Sequence, residues 1–319
     1  MHTLGVAGGV PISVPDGSYV SFFNSPYVGH RLATSVDVYT EHGEWGDPVP
    51  SPVSGAVKHV RRIRMGQTRA FPGEDYDYAV GILPDGSERS LLRTLHCSPT
   101  VNPGDRVEVG QEIGVVLRSR FFCFWTSPHY HIDVMDAENF HRSSKSYPIQ
   151  VPHQALSTRL SSVTAPPDSL QCSVMLVGPD YAIAVPECAP SCSVGPYTGL
   201  VAMDTRRTAA GIFDGGFPYY PFCGAYRGRP SAENPPFCGW ALPLGQLIRE
   251  SGRLTVYDQA RGYGVFVNDT QIRGISTYLY SACQLTHGQV PLKLVPQSRG
   301  GFDGVLVEGE SCTVTCSLL

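Results

Sequence analysis

The chain has 319 residues, 42% of them hydrophobic and 16% charged, with a formal net charge of −4. That length fits about two domains of roughly 150 residues, each able to bury its own core. The mild acidity and the absence of a basic stripe argue against nucleic acid as a partner, and no apolar stretch reaches the ~18 residues a membrane span needs.

With 34 glycines and 27 prolines, the chain carries turn chemistry suited to many short strands rather than a helical bundle. Residues Met1 to Ala7 lack a basic stretch followed by an apolar run, so no secretory leader is expected. A cytoplasmic location is the expectation on that basis, with an extracellular or wall-associated one as the alternative.

Taken in order, the strands expected in the first half are Ala33–Tyr39, Gly55–Val60, Tyr78–Leu83, Ser90–His96, Ile113–Leu117 and Pro128–Met135. Alternation puts Ser35, Asp37 and Tyr39 on one face of the first of these. Pro84-Asp85-Gly86-Ser87 reads as a hairpin turn, because Asp-Gly accepts the positive φ of tight turns. The one helical hint is Asp136–Phe140.

A polar, proline-bearing stretch at 156–169 reads as a linker. It separates a β domain at 1–155 from a β-rich domain of unknown function at 170–319. In the latter, strands are expected at Cys172–Val177, Tyr181–Val185, Arg253–Tyr257, Tyr263–Val267 and Val305–Val307. Asp214-Gly215-Gly216 and Arg299-Gly300-Gly301 are expected as joints, and Pro243–Gly252 as a short helix ended by its glycine. Eight cysteines follow position 165, readable either as a disulfide framework or as buried thiols.

The strongest chemical motif is His129-x-His131 on an expected strand, where residues two apart share a face. His30 and Asp37 lie upstream, and His96 ends another strand. Two imidazoles and a carboxylate around one cation make a three-ligand zinc site with a fourth position open to water. Such a zinc lowers that water's pKa, and spare histidines serve as base or as oxyanion donors.

Four segments carry a resemblance. These are Pro50–Val57, Asp85-Gly86 followed by Leu95-His96, Val101–Gly114, and Thr126–Val134 with its proline before His129-x-His131. In order and spacing they resemble the lysostaphin-type (LytM-like) zinc metallopeptidases, whose catalytic domain has the duplicated-hybrid-motif β fold. The resemblance covers residues 28–136. It implies an all-β fold, Zn2+ on His30, Asp37 and His131, and His96 and His129 as catalytic non-ligand histidines. It also implies a peptide or peptidoglycan-like substrate.

Two departures stand out. Six residues separate His30 from Asp37 where the family has three, and the usual ligand position falls on Ala33. Either a looped-out His30 reaches the site or that ligand is lost. The glycine-serine-glycine stretch before the closing motif is replaced by Phe121-Phe122-Cys123-Phe124-Trp125, expected as core or domain interface. Arg61-Arg62-Ile63-Arg64 reads as a solvated face rather than an anion site. His2, His42, His59, His141, His153 and His287 read as ordinary histidines. A swinging-arm carrier is set aside, because Lys58 sits inside a strand rather than at a hairpin tip. The alternative to a peptidase is a non-catalytic binding or scaffold protein that keeps the fold.

Overall fold

Short β-branched and aromatic runs broken by glycine and proline leave the backbone little choice but strands and turns. The computed structural model describes residues 1–66, 69–159, 169–204, 208–228, 237–238, 242–286 and 288–319. The chain divides into two compact units, Met1–Val20 with Tyr27–Pro152, and Ser21–Pro26 with His153–Leu319. Both are built from strands, so the fold class is all-β, as the sequence predicts. No helix among the described residues is long and apolar enough to cross a membrane.

In the first unit, β1 (His2–Ala7) pairs with β2 (Val10–Val14), and β3 (Tyr19–Ser21) follows. One helical turn, α1 (Val28–Arg31), precedes β4 (Ser35–Tyr39) and β5 (Pro48–Pro50). Then come β6 (Gly55–Arg64), β7 (Tyr76–Pro84), β8 (Ser90–Leu95), β9 (Cys97–Pro99), β10 (Arg106–Val107), β11 (Glu112–Val116) and β12 (Tyr130–Asp136). Seven strands form one sheet in the order β10-β6-β7-β8-β12-β4-β3, and β5-β11-β9 form a smaller one. The expected Asp85-Gly86 turn is present, with Gly86 at φ 74°. The hint at Asp136–Phe140 becomes a 3-10 turn over Ala137–Asn139.

Register explains how a polar site arises inside this sheet. His131 on β12 sits opposite Asp37 on β4 and Leu95 on β8. One pair along, Asp133 sits opposite Ser35 and Arg93. These two rows share a face, while Val36, Ile132 and Val80 alternate with them on the other, each fully buried. A slip of one residue would turn His131 and Asp37 into the apolar layer and put valine and isoleucine in their place.

The second unit corrects several expectations. Leu156–Arg159, expected in the linker, is a strand paired with Ser191–Val194, and Ser169 opens the strand Ser169–Val177. Residues 160–168 of that stretch lie outside the described residues, as does His287. The segment expected as a helix, Pro243–Gly252, forms instead a strand over Leu244–Ser251, paired with Leu254–Gln259. Asp214-Gly215-Gly216 lies within the strand Ala209–Phe217 rather than at a joint. Val305–Val307 is not a strand: Val305 ends a turn and Leu306 and Val307 are irregular. Cys97, Cys172, Cys192, Cys312 and Cys316 are free thiols, and Cys172 and Cys312 face each other across paired strands.

Asp214 explains why Ser21–Pro26 belongs to the second unit. Its buried carboxylate accepts hydrogen bonds from Ser21 Oγ (2.6 Å) and from the backbone N–H groups of Phe22 (2.6 Å) and Phe23 (3.2 Å). Gly224 accommodates the Phe23 ring, since a Cβ there would lie 2.2 Å from it. A Ser21→Ala substitution is expected to destabilise the protein by about 1–3 kcal/mol, measured by urea unfolding, because one lone pair of a buried carboxylate loses its donor.

Candidate metal centre

His30 comes from α1, Asp37 from β4 and His131 from β12. The long His30–Asp37 interval is absorbed by the helical turn and its exit. The turn closes with hydrogen bonds from Ala33 N to His30 O (3.0 Å) and from Thr34 N to Gly29 O (2.9 Å). Ala33 takes φ 55°, the left-handed conformation that ends helices, and β4 begins two residues later. Gly29 lets the turn press on β4, since a Cβ there would lie 2.0 Å from Ser35 Oγ. His30 therefore reaches Asp37 by helical rise, not by a loose loop.

The three donor atoms converge. His131 Nδ1 lies 2.8 Å from Asp37 Oδ1 and 3.2 Å from His30 Nε2, and His30 Nε2 lies 3.3 Å from the same Asp37 oxygen. Tetrahedral donors at about 2.0–2.1 Å from zinc stand about 3.3 Å apart. Two of the three separations match that spacing. Two neutral imidazoles and a carboxylate are also a donor set that zinc accepts, so these residues fit the ion.

His96 and His129 lie beside this triad, with ring centroids 5.5 Å apart, and His96 is 6.1 Å from His131. His129 Nδ1 donates to Ser127 O at 2.8 Å, which leaves Nε2 without the proton, 3.6 Å from Asp37 Oδ2. His96 follows β8 at φ 63°, a left-handed conformation costly for any side chain with a Cβ. Asp77 holds it there. One carboxylate oxygen accepts from His96 N (3.1 Å), and the other accepts from His96 Nδ1 (2.7 Å) and Ser119 Oγ (2.7 Å).

Electrostatics separate the roles. Burial works against charge on Asp37, yet His30, His129 and His131 around it hold its carboxyl well below the usual carboxylate range. Burial pushes His129 down to about 4, despite Asp37, so it is neutral at pH 7. For His131 burial is outweighed by the carboxylates of Asp133 and Asp37, which raise it to about 9. Asp133 falls to about 2 against its own burial, because Arg93 and His131 face it.

A raised His131 makes a prediction about metal uptake. Its contribution to the metal-free fold is complete below pH 6.5 and is lost as pH rises through about 9. At pH 7 a zinc ion must displace that proton, so uptake is expected to release about one proton per site. Calorimetric titration in buffers of different ionisation enthalpy measures it. Heats that do not change with the buffer would show that His131 is not titrated by the metal.

The structure thus brings together all five residues singled out from the sequence: His30, Asp37 and His131 as a triad, with His96 and His129 beside it. A family model described as the N-terminal domain of a domain of unknown function (DUF8155) matches residues 14–151, which contain all five. No curated protein sequence matches the chain.

Among solved structures, the chain is similar to a mutant catalytic domain of the prophage-encoded M23 protein EnpA from Enterococcus faecalis. That match has 24% identity, covers 33% of this chain and 68% of that one, and has a TM-score of 0.23. A zinc-containing peptidase from Vibrio cholerae matches at 24% identity over 33% of this chain and 27% of that one, TM-score 0.22. The antimicrobial peptidase lysostaphin from Staphylococcus simulans matches at 14% identity over 89% and 90%, TM-score 0.27.

Several supporting residues were missed in the sequence. The expected strand began at Tyr78, one residue after Asp77, although Asp77 continues the Ala79 face towards His96. Arg93 and Asp133 escaped notice because their pairing depends on strand register. The aromatic run is only partly the core filler expected. Phe122 is buried against His96 and His129, with centroids at 4.5 and 5.1 Å, while half-buried Phe121 packs on His96 at 4.9 Å.

Proposed function

We propose that the first unit is a lysostaphin-type zinc metallopeptidase that hydrolyses peptide bonds in cell-wall-type or small peptides. The observation that carries this reading is the convergence of the His30, Asp37 and His131 donor atoms within 4.8 Å of one another, beside two further histidines. Zinc bound there supplies Lewis acidity and brings the pKa of a water towards neutrality. His129, neutral and with Nε2 bare, accepts a proton from the attacking water. His96, its Nδ1 committed to Asp77, turns Nε2 towards the substrate and, when that nitrogen carries a proton, hydrogen-bonds the oxyanion of the tetrahedral carbon. The collapsing intermediate takes the proton back from His129 onto the leaving amine.

Alanine at His96 or His129 is expected to cost about 10²–10⁴-fold in kcat while zinc content stays at one per chain. Metal analysis with a glycine-rich peptide assay tests both halves of that statement. Loss of zinc in either variant would move that histidine into the ligand set.

One observation favours a second reading. The five residues are each 1–6% exposed, with Phe121 and Phe122 packed over His96 and His129. Such closure suits a structural zinc in a non-catalytic binding protein. Stoichiometric zinc without cleavage of any glycine-rich peptide would decide for it.

A further inference from the structure

Arg64, at the end of β6, belongs to the run read from sequence as a solvated face, but it also lines a cavity of about 220 Å3 with Arg69 and Arg120. Tyr27 and Phe121 complete the wall, their rings stacked at 4.5 Å. Three arginines line it, and no carboxylate is among the described lining residues. Arg69 is anchored through Nε, which donates to Arg120 O at 3.1 Å. The neighbouring cavity of about 380 Å3 differs in this respect. It too is lined by Arg64, but Asp75 supplies opposite charge there and Arg62 lies over the Tyr76 ring at 4.0 Å.

Like charges gathered around a hollow repel one another until an anion enters, and planar guanidinium groups match carboxylates two bonds at a time. Position gives the cavity its meaning. Phe121 forms its wall and also packs against His96, 4.9 Å between centroids, so one aromatic ring separates the arginines from the histidine cluster.

We propose that this arginine-lined cavity is a subsite that receives a carboxylate of the substrate peptide, from an acidic side chain or a free C-terminus. The peptide backbone beyond that carboxylate then runs past Phe121 to His96 and His129. The peptidase reading supplies what the anion is attached to; the anion site itself stands on the arginines.

The test is binding to the full-length zinc-loaded chain, read by fluorescence anisotropy apart from cleavage. Three labelled peptides serve: pentaglycine amide, pentaglycine free acid, and the amide with aspartate at the central position. At least one carboxylate peptide is expected to bind about tenfold tighter than the neutral amide. Whichever acid does so identifies the source of the carboxylate. The preference is expected to shrink at about 0.5 M NaCl and to vanish in Arg69→Gln/Arg120→Gln with zinc content unchanged. Equal binding of all three peptides, no binding of any, or a preference that survives the double substitution overturns the proposal. Charge-dependent binding without cleavage overturns the peptidase reading and leaves the subsite. Cleavage without charge preference does the reverse.

Discussion

Replacing His131 with alanine is expected to abolish stoichiometric zinc binding and to lower peptide hydrolysis by at least about 100-fold. Nδ1 of this residue stands within 3.2 Å of both other donor atoms, so its loss leaves a histidine and a carboxylate, too few for a tight site. Asp37→Asn is the companion variant, because it keeps volume and strand register while removing the charge that the surrounding imidazoles share. Metal content after dialysis and the rate of glycine-peptide cleavage measure both. One zinc per chain in His131→Ala would show that the ligand set lies elsewhere.

The second large effect is on stability. Arg93 donates through Nε and Nη2 to the two oxygens of Asp133, at 3.0 and 2.6 Å, and through Nη1 to Phe140 O at 2.6 Å. Both side chains are buried. Arg93→Met is expected to cost about 3–5 kcal/mol, because the buried Asp133 carboxylate loses its two guanidinium hydrogen bonds and keeps only Ser146 Oγ at 2.9 Å and the His131 ring at 3.9 Å. Urea unfolding at pH 7 measures it. Arg93→Met/Asp133→Leu is expected to recover more than half, since removing both charges also removes the uncompensated one.

Asp133 has a folded pKa of about 2, below its ordinary 3.8. Its contribution is therefore present above pH 3.8 and lost as pH falls through 2, and the single variant is expected to unfold at higher pH in acid titration. A loss below about 1 kcal/mol would mean that Ser146, which donates to the same carboxylate at 2.9 Å, and His131 are enough to hold it.

The parts of this molecule that were legible in the sequence are those with a short period. Alternation placed Asp37 with Ser35 and Tyr39, and His131 with His129, on shared strand faces, and the Asp85-Gly86 turn set β7 against β8. What escaped needed information from elsewhere in the chain. The exit of α1 through Ala33 at positive φ has no glycine to announce it. His96 takes its left-handed backbone because Asp77, on another strand, holds both its N–H and its ring.

Leu244–Ser251 is rich in helix formers, yet pairing with Leu254–Gln259 overrides that propensity, and the turn at Gly252 closes the hairpin. The glycines of Asp214-Gly215-Gly216 signal close packing rather than a turn. A Cβ at Gly216 would lie 2.5 Å from the Tyr219 ring.

The donors that Asp214 requires come from residues nearly two hundred positions earlier in the chain. Grafting 1–152 onto another protein would carry those donors away, stranding a buried anion at a cost of about 1–3 kcal/mol per missing partner. The second unit is thus not a portable cassette: recombination at the obvious seam would leave Asp214 without three of its hydrogen bonds.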